Sequence, residues 1–142
     1  MSDRYFLDTN IFVYAFDSVN PAKQRRANEL IKTALKNNAG CISFQVIQEF
    51  INVATRKFAV PLSIPDCEKY LSSVLSPLCE VFVSIELFSR SLDVMQRWQF
   101  SFYDSLIVAA ALQADCSILY SEDLQHKQKI EDLTIHNPFH TR

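Results

Sequence analysis

Five acidic residues of this chain stand where a folded chain can do chemistry. Asp8 follows the apolar run Tyr5-Phe-Leu7, and Glu49 lies one turn into a helical stretch that follows a second short apolar run. Asp104 opens a strongly apolar helix, and Glu122 and Asp123 come directly after Cys116-Ser-Ile-Leu-Tyr120. In open parallel α/β sheets, ligands gather outside the carboxyl ends of the strands, so all five fall on one side of the expected sheet. Carboxylates brought together there raise one another's pKa and oppose folding unless a counter-charge is present. A hard, oxygen-preferring cation such as Mg²⁺ or Mn²⁺ provides it. The chemistry such a site serves best is phosphodiester hydrolysis, in which metals activate water and stabilise the leaving oxygen.

Each residue also has a plainer reading. Asp8 is placed to cap a helix beginning near Ile11, and Asp104 or Ser101 to cap the helix through residues 106–112. Glu49 lies on the flank of its helix's apolar stripe, where an ordinary surface glutamate would lie. The basic groups Lys23/Arg25/Arg26 and Arg56/Lys57 either guide a polyanion or form solvated helix faces.

The elements that must position these residues follow from periodicity and punctuation. Residues 5–7 read as a central strand and 11–16 as a short helix. Asn20-Pro21 starts a helix to about Lys36, with Ala27, Leu30, Ile31, Ala34 and Leu35 at helical spacing, and Asn37-Asn-Ala-Gly40 ends it with the only glycine of the chain. Residues 41–44 read as a strand and 45–58 as a helix whose apolar face holds Val46, Ile47, Phe50, Ile51, Ala54 and Phe58. Past Pro61 and Pro65 come a helix over 66–75, a strand over 81–83 and a helix over 85–98. The stretch 106–112 is apolar all the way round, the mark of a buried helix. Strands follow at 116–120 and 134–136, and His136 and His140 have no evident partner.

Composition bounds the alternatives. A length of 142 residues with 49% apolar and 12% aromatic content implies one globular domain over residues 1–142. No apolar run reaches the roughly 18 residues of a membrane span, and Asp8 and Asn10 break the N-terminal run, so a cytoplasmic protein without signal peptide is expected. Cys41, Cys67, Cys79 and Cys116 form no C-x-x-C pair, which argues for reduced, packed thiols over zinc ligation. A net charge of −2 excludes a general electrostatic clamp on nucleic acid, so any such contact must be local. No P-loop, Rossmann pattern, G-x-S-x-G elbow or catalytic-cysteine motif is present, and a single glycine cannot build a glycine-rich phosphate cradle.

Four runs share a further likeness: Leu7-Asp-Thr-Asn-Ile-Phe-Val-Tyr-Ala-Phe16, Gln45-Val-Ile-Gln-Glu-Phe50, Ser101-Phe-Tyr-Asp-Ser-Leu-Ile-Val-Ala-Ala-Ala111 and Leu119-Tyr-Ser-Glu-Asp-Leu-Gln-His126. In these runs and their order the chain resembles PIN-domain proteins, specifically VapC-like ribonuclease toxins, and the likeness extends to Ile135-His-Asn-Pro-Phe139. The resemblance implies a three-layer α/β/α fold with a mainly parallel sheet and a Mg²⁺- or Mn²⁺-dependent endoribonuclease. It carries catalytic and metal-binding roles onto Asp8, Glu49, Asp104 and Asp123, with Asn10, Ser121 and Glu122 in support. On this reading Asp8, Glu49 and Asp104 hold one cation, Asp123 completes the site, and the products carry 5′-phosphate. Arg25, Arg26 or Arg56 would guide the RNA, and Phe102 or Tyr103 would offer a stacking face. The resemblance also implies a homodimer and a cognate antitoxin. One departure is Lys127, where close relatives tend to have glycine after Leu-Gln-His. Two other function classes remain at this stage: a DNA-directed or structure-specific nuclease of the same family, and a non-catalytic nucleic-acid-binding module.

Overall fold

Short apolar runs form the sheet, and amphipathic stretches between them cover it. The coordinates are a computed structural model that describes residues 3–140. Strand β1 (Tyr5–Leu7) leads into α1 (Thr9–Tyr14) and α2 (Pro21–Asn37), then β2 (Gly40–Ser43), α3 (Phe44–Arg56), α4 (Ile64–Tyr70), a π-helical turn at Leu71–Leu75, a last helical turn α5 (Ser76–Leu78) and β3 (Cys79–Val81). Helices α6 (Ile85–Trp98) and α7 (Phe102–Gln113) precede β4 (Ile118–Tyr120), β5 (Lys129–Ile130) and β6 (Leu133–His136). The strand order is β3-β2-β1-β4-β6-β5, parallel throughout except for β5 against β6.

This order places the site. From β1 the chain steps outward through β2 to β3, then crosses back to β4 on the other side of β1. With right-handed crossovers, reversing direction puts α2–α5 on one face and α6–α7 on the other, which gives three layers. The reversal leaves a crevice between β1 and β4 at their carboxyl ends, the position where doubly wound sheets bind ligands. Two-sided covering explains why β2 is buried at all four positions and why α7 is buried from Ser105 to Leu112 without interruption. No helix among the described residues is long and apolar enough to cross a membrane.

Several boundaries differ from the sequence expectation, each for a physical reason. Helix α1 begins at Thr9, two residues early, because Asp8 itself caps it. Helix α4 takes Pro65 into its first turn, where a missing N–H costs nothing, with Ser63 Oγ accepting from the Asp66 N–H. β3 lies at Cys79–Val81 rather than 81–83, leaving Phe82 and Val83 half exposed. β5 is too short to show a period. Cys41 and Cys116 pack as free thiols, their sulfurs 3.5 Å apart.

Gly40 does not end α2; Asn38, with φ 58°, does. Gly40 instead opens β2, where an added Cβ would come within 2.5 Å of the Ala34 Cβ and 2.8 Å of the Tyr5 ring. Helix α2 therefore rests on the sheet closely enough to require a bare backbone. Lys127 adopts the left-handed conformation, with φ 72°, and its N–H donates to the Ile135 carbonyl at 2.8 Å. Gly40→Ala is expected to destabilise the fold by about 1–3 kcal/mol through this overlap. Lys127→Gly should stabilise it by about 1 kcal/mol by relieving the left-handed strain. Urea unfolding followed by circular dichroism measures both, and opposite signs would refute the two packing arguments.

Candidate active site

Asp8 occupies the crevice between β1 and β4. Its N–H donates to the Tyr120 carbonyl at 3.0 Å, which holds the two strand ends together and sets Asp8 beside Ser121. One carboxylate oxygen, Oδ1, accepts from the Thr9 N–H at 2.7 Å as the helix cap; the other, Oδ2, accepts from Ser121 Oγ at 2.7 Å. The capping reading and the site reading are thus met by the same side chain. Asp8 is 7% exposed, and burial pushes its carboxyl up to about 7. The hydrogen bonds from Ser121 and Thr9 oppose that rise, and the negative charges of Asp123 and Glu49 add to it.

Those two charges reach Asp8 from opposite ends of the chain. The Thr9 hydroxyl donates to Glu49 Oε1 at 2.6 Å, and the Gln45 amide donates to Glu49 Oε2 at 3.2 Å. Gln45 and Glu49 are one turn apart on α3, a spacing that lets side chains meet, so this support was readable in sequence. The same Gln45 nitrogen also donates to the Tyr103 carbonyl at 3.1 Å, tying α3 to the first turn of α7 next to Asp104. Ser101 is the cap of α7, accepting from the Asp104 N–H, and the Asp104 carboxylate makes no hydrogen bond among the described residues. Asn10, on the first turn of α1, donates to Asp123 Oδ2 at 3.1 Å, while its own Oδ1 is buried without a partner.

Glu122 accepts from the Tyr14 hydroxyl and from Lys23 Nζ, both at 2.6 Å. Burial works against its ionised form, but these two donors hold its carboxyl below the usual range. Lys23 also sits over the Tyr14 ring, 4.6 Å from its centroid. The basic residues divide as well. Arg26, on α2, acts electrostatically on Tyr120 and His136 at the ends of β4 and β6, whereas Arg25 lies on the outer surface with Gln24 and Glu29, and Arg56 is in the last turn of α3. The histidines do have partners: His126 stacks on His140 at 4.1 Å between centroids and meets His136 at 5.0 Å.

The donor chemistry fits a hard divalent cation. Asp123 and Glu49 add negative charge at Asp8, the Asn10 amide oxygen is buried and unpartnered, and burial keeps the Asp8 carboxyl raised. As the side chains stand, no group of three or more His, Cys, Asp or Glu among the described residues is arranged to hold a metal ion. Glu49 and Asp123 are each turned instead to the donors of Thr9, Gln45 and Asn10.

The family model of the PIN domain matches residues 5–131. Among curated proteins, none matches the chain in sequence. Solved structures do. A toxin–antitoxin complex from Klebsiella pneumoniae is similar with a TM-score of 0.67 and 18% identity, covering 96% of this chain and 99% of that one. VapBC2 from Rickettsia felis, bound to a DNA fragment from its promoter, gives 0.65 and 21% over 94% and 97%. Mycobacterium tuberculosis VapC20, described as a sarcin–ricin loop cleaving toxin, gives 0.60 and 18% over 82% and 88%. At these identities the likeness is one of fold.

The Asp8 shift has a sign that can be tested. Unfolded, the group titrates near 3.8; folded, near 7. The folded state therefore holds this proton more tightly, and the stability of metal-free protein should fall as pH rises from about 4 to about 7, then level off. Asp8→Asn should flatten that fall, raising Tm in EDTA at pH 8 and changing it less at pH 5. Equal effects at both pH values in thermal denaturation would refute the assignment.

Proposed function

The chain belongs to the PIN domain family, and on that footing we propose that it is a divalent-metal-dependent endoribonuclease acting as the toxin of a toxin–antitoxin pair. The observation that carries this reading is the buried Asp8 at the β1/β4 switch point, under the negative charges of Glu49 and Asp123, with α3 tied to the first turn of α7 through Gln45. A similar solved structure described as a toxin–antitoxin complex, and one described as a sarcin–ricin loop cleaving toxin, support the antitoxin partner and the RNA substrate. The homodimer implied by the resemblance belongs to the same proposal.

Asp8, Glu49, Asp104 and Asp123 would hold the cation, Mg²⁺ or Mn²⁺. When bound, it supplies Lewis-acid charge on the phosphate and a lowered pKa for attacking water. The chain's own residues do the rest. Ser121 and the Thr9 N–H fix the Asp8 carboxylate and favour its ionised form, so Asp8 gives up its proton readily once positive charge is nearby. Thr9 and Gln45 aim Glu49, and Asn10 aims Asp123. Arg26 supplies local attraction for the RNA backbone that a net charge of −2 does not. Exposed Tyr103, beside Asp104, offers a face on which a base can stack.

Purified protein free of partner should cut single-stranded or structured RNA with Mg²⁺ or Mn²⁺, stop in EDTA, and leave 5′-phosphate. Asp8→Asn and Asp104→Asn should each lower the rate at least about a hundredfold. Matched DNA strands should stay intact. Cleavage of DNA alone would assign a DNA-directed nuclease, and RNA binding without metal-dependent cleavage would assign a binding module.

A further inference from the structure

Asp123 stands on a segment between β4 and β5 that belongs to no helix or strand. Backbone bonds tie this segment to the sheet at its two ends, where the Ser121 N–H donates to the His136 carbonyl at 3.1 Å and the Lys127 N–H to that of Ile135 at 2.8 Å. In between, among the described residues, no backbone N–H of residues 122–126 donates to a backbone carbonyl. Side chains must therefore set where Asp123 stands. Asn10 reaches its carboxylate at 3.1 Å, Ser121 Oγ accepts from its N–H at 3.2 Å, and Leu124 is buried. The shortest side-chain bonds to residues 122–126 lie next door: the Tyr14 hydroxyl and Lys23 Nζ each donate to Glu122 at 2.6 Å, one to each carboxylate oxygen.

Lys23 is itself held in place. Its Nζ also donates to the Tyr14 hydroxyl oxygen at 3.2 Å and stands 4.6 Å from the centroid of the Tyr14 ring and 5.6 Å from that of Phe139. Those two rings meet edge to face at 4.9 Å. Tyr14 comes from α1, Lys23 from α2 and Phe139 from the segment after β6, so three distant parts of the chain close round one carboxylate. An isolated surface ion pair does little, because water competes for both partners. Here the two side chains are only 35% and 26% exposed, and a third donor, Tyr14, completes the set. We infer that Lys23 is a positioning residue for Asp123: by holding Glu122 together with Tyr14, it fixes the segment from which the neighbouring carboxylate reaches the cation. Glu122, with a donor on each oxygen, acts as the anchor of that segment and Asp123 as the ligand. Groups that orient a metal ligand govern affinity without touching the metal. The inference rests on the nuclease reading only in taking Asp123 as a group that holds the cation.

The test has a metal-free arm and a metal arm, neither of which uses cleavage. In ¹⁵N-labelled protein in EDTA, Lys23→Met should lower the order parameter of the Asp123 amide to below about 0.6, while the Ile11 and Ile135 amides stay near about 0.85. Binding of Mn²⁺, read from the paramagnetic resonance signal of the free ion, should weaken about tenfold in Lys23→Met and in Glu122→Gln, and less than about threefold in Lys23→Arg, which keeps the charge. The double variant should bind no more weakly than either single one, because both changes break the same link. Should Lys23→Met fail to fold, Tyr14→Phe, which removes one donor, serves in its place. An Asp123 amide as ordered in the variant as in the wild type overturns the inference, and so do additive losses in the double variant. Unchanged Mn²⁺ affinity in folded Lys23→Met overturns it in favour of a merely structural ion pair, and tighter binding overturns it by showing that Glu122, once released, is a ligand. Wild-type protein that binds no Mn²⁺, with the Asp123 amide loosened in Lys23→Met, rejects the metal reading alone.

Discussion

Everything in this fold that concerns chemistry depends on keeping one carboxylate, Asp8, out of water at the end of β1. Burial of an isolated ionised carboxyl is costly, and the chain meets the cost only in part, with one backbone N–H from Thr9 and one hydroxyl from Ser121. Both donors lie just past the ends of the two strands that flank the switch point, so the topology that creates the crevice also supplies its supports. The remaining imbalance, with Glu49 and Asp123 adding like charge, keeps the Asp8 carboxyl raised to about 7. The residues around Asp8 follow from this constraint: Gln45, Thr9 and Asn10 aim the other carboxylates.

Much of this was legible in the sequence where local and global signals agreed. Helix α6 begins and ends where the sequence placed it, at Ile85 and Trp98. The unbroken apolar stretch of α7 marked a helix buried on most of its surface, and the structure buries it from Ser105 to Leu112. Asp8, Glu49 and Asp104 fall at the strand ends and helix starts assigned to them, because those positions follow from order along the chain. The strand order itself came only with the structure, since periodicity carries no information on which strand neighbours which.

What the sequence hid lies where long-range geometry overrode local type. Val81-Phe-Val83 has strand composition, yet the ladder with β2 takes Cys79–Val81 and leaves the two following residues to the surface. Gly40 looked like a helix stop, and its role is set by Ala34 and Tyr5, which approach it only in the folded state. Glu122 and Asp123 are adjacent and chemically alike, but their side chains diverge. Lys23 and Tyr14 claim the first from far away in sequence, and Asn10 claims the second. The contacts among His126, His136 and His140 likewise appear only once β6 folds back beside β4.

The two ends of the sheet carry a separate consequence. One edge is β3, three residues long, with its register to β2 shifted between Ile42 and Ser43; the other is β5, two residues long and running against its neighbour. A long, flat edge strand is a template on which another chain can add hydrogen bonds and begin a fibril. Edges this short offer few unpaired backbone groups. The parallel centre is thereby shielded from edge-to-edge growth, and a chain rich in buried apolar residues remains protected from backbone-driven aggregation even when it stands alone.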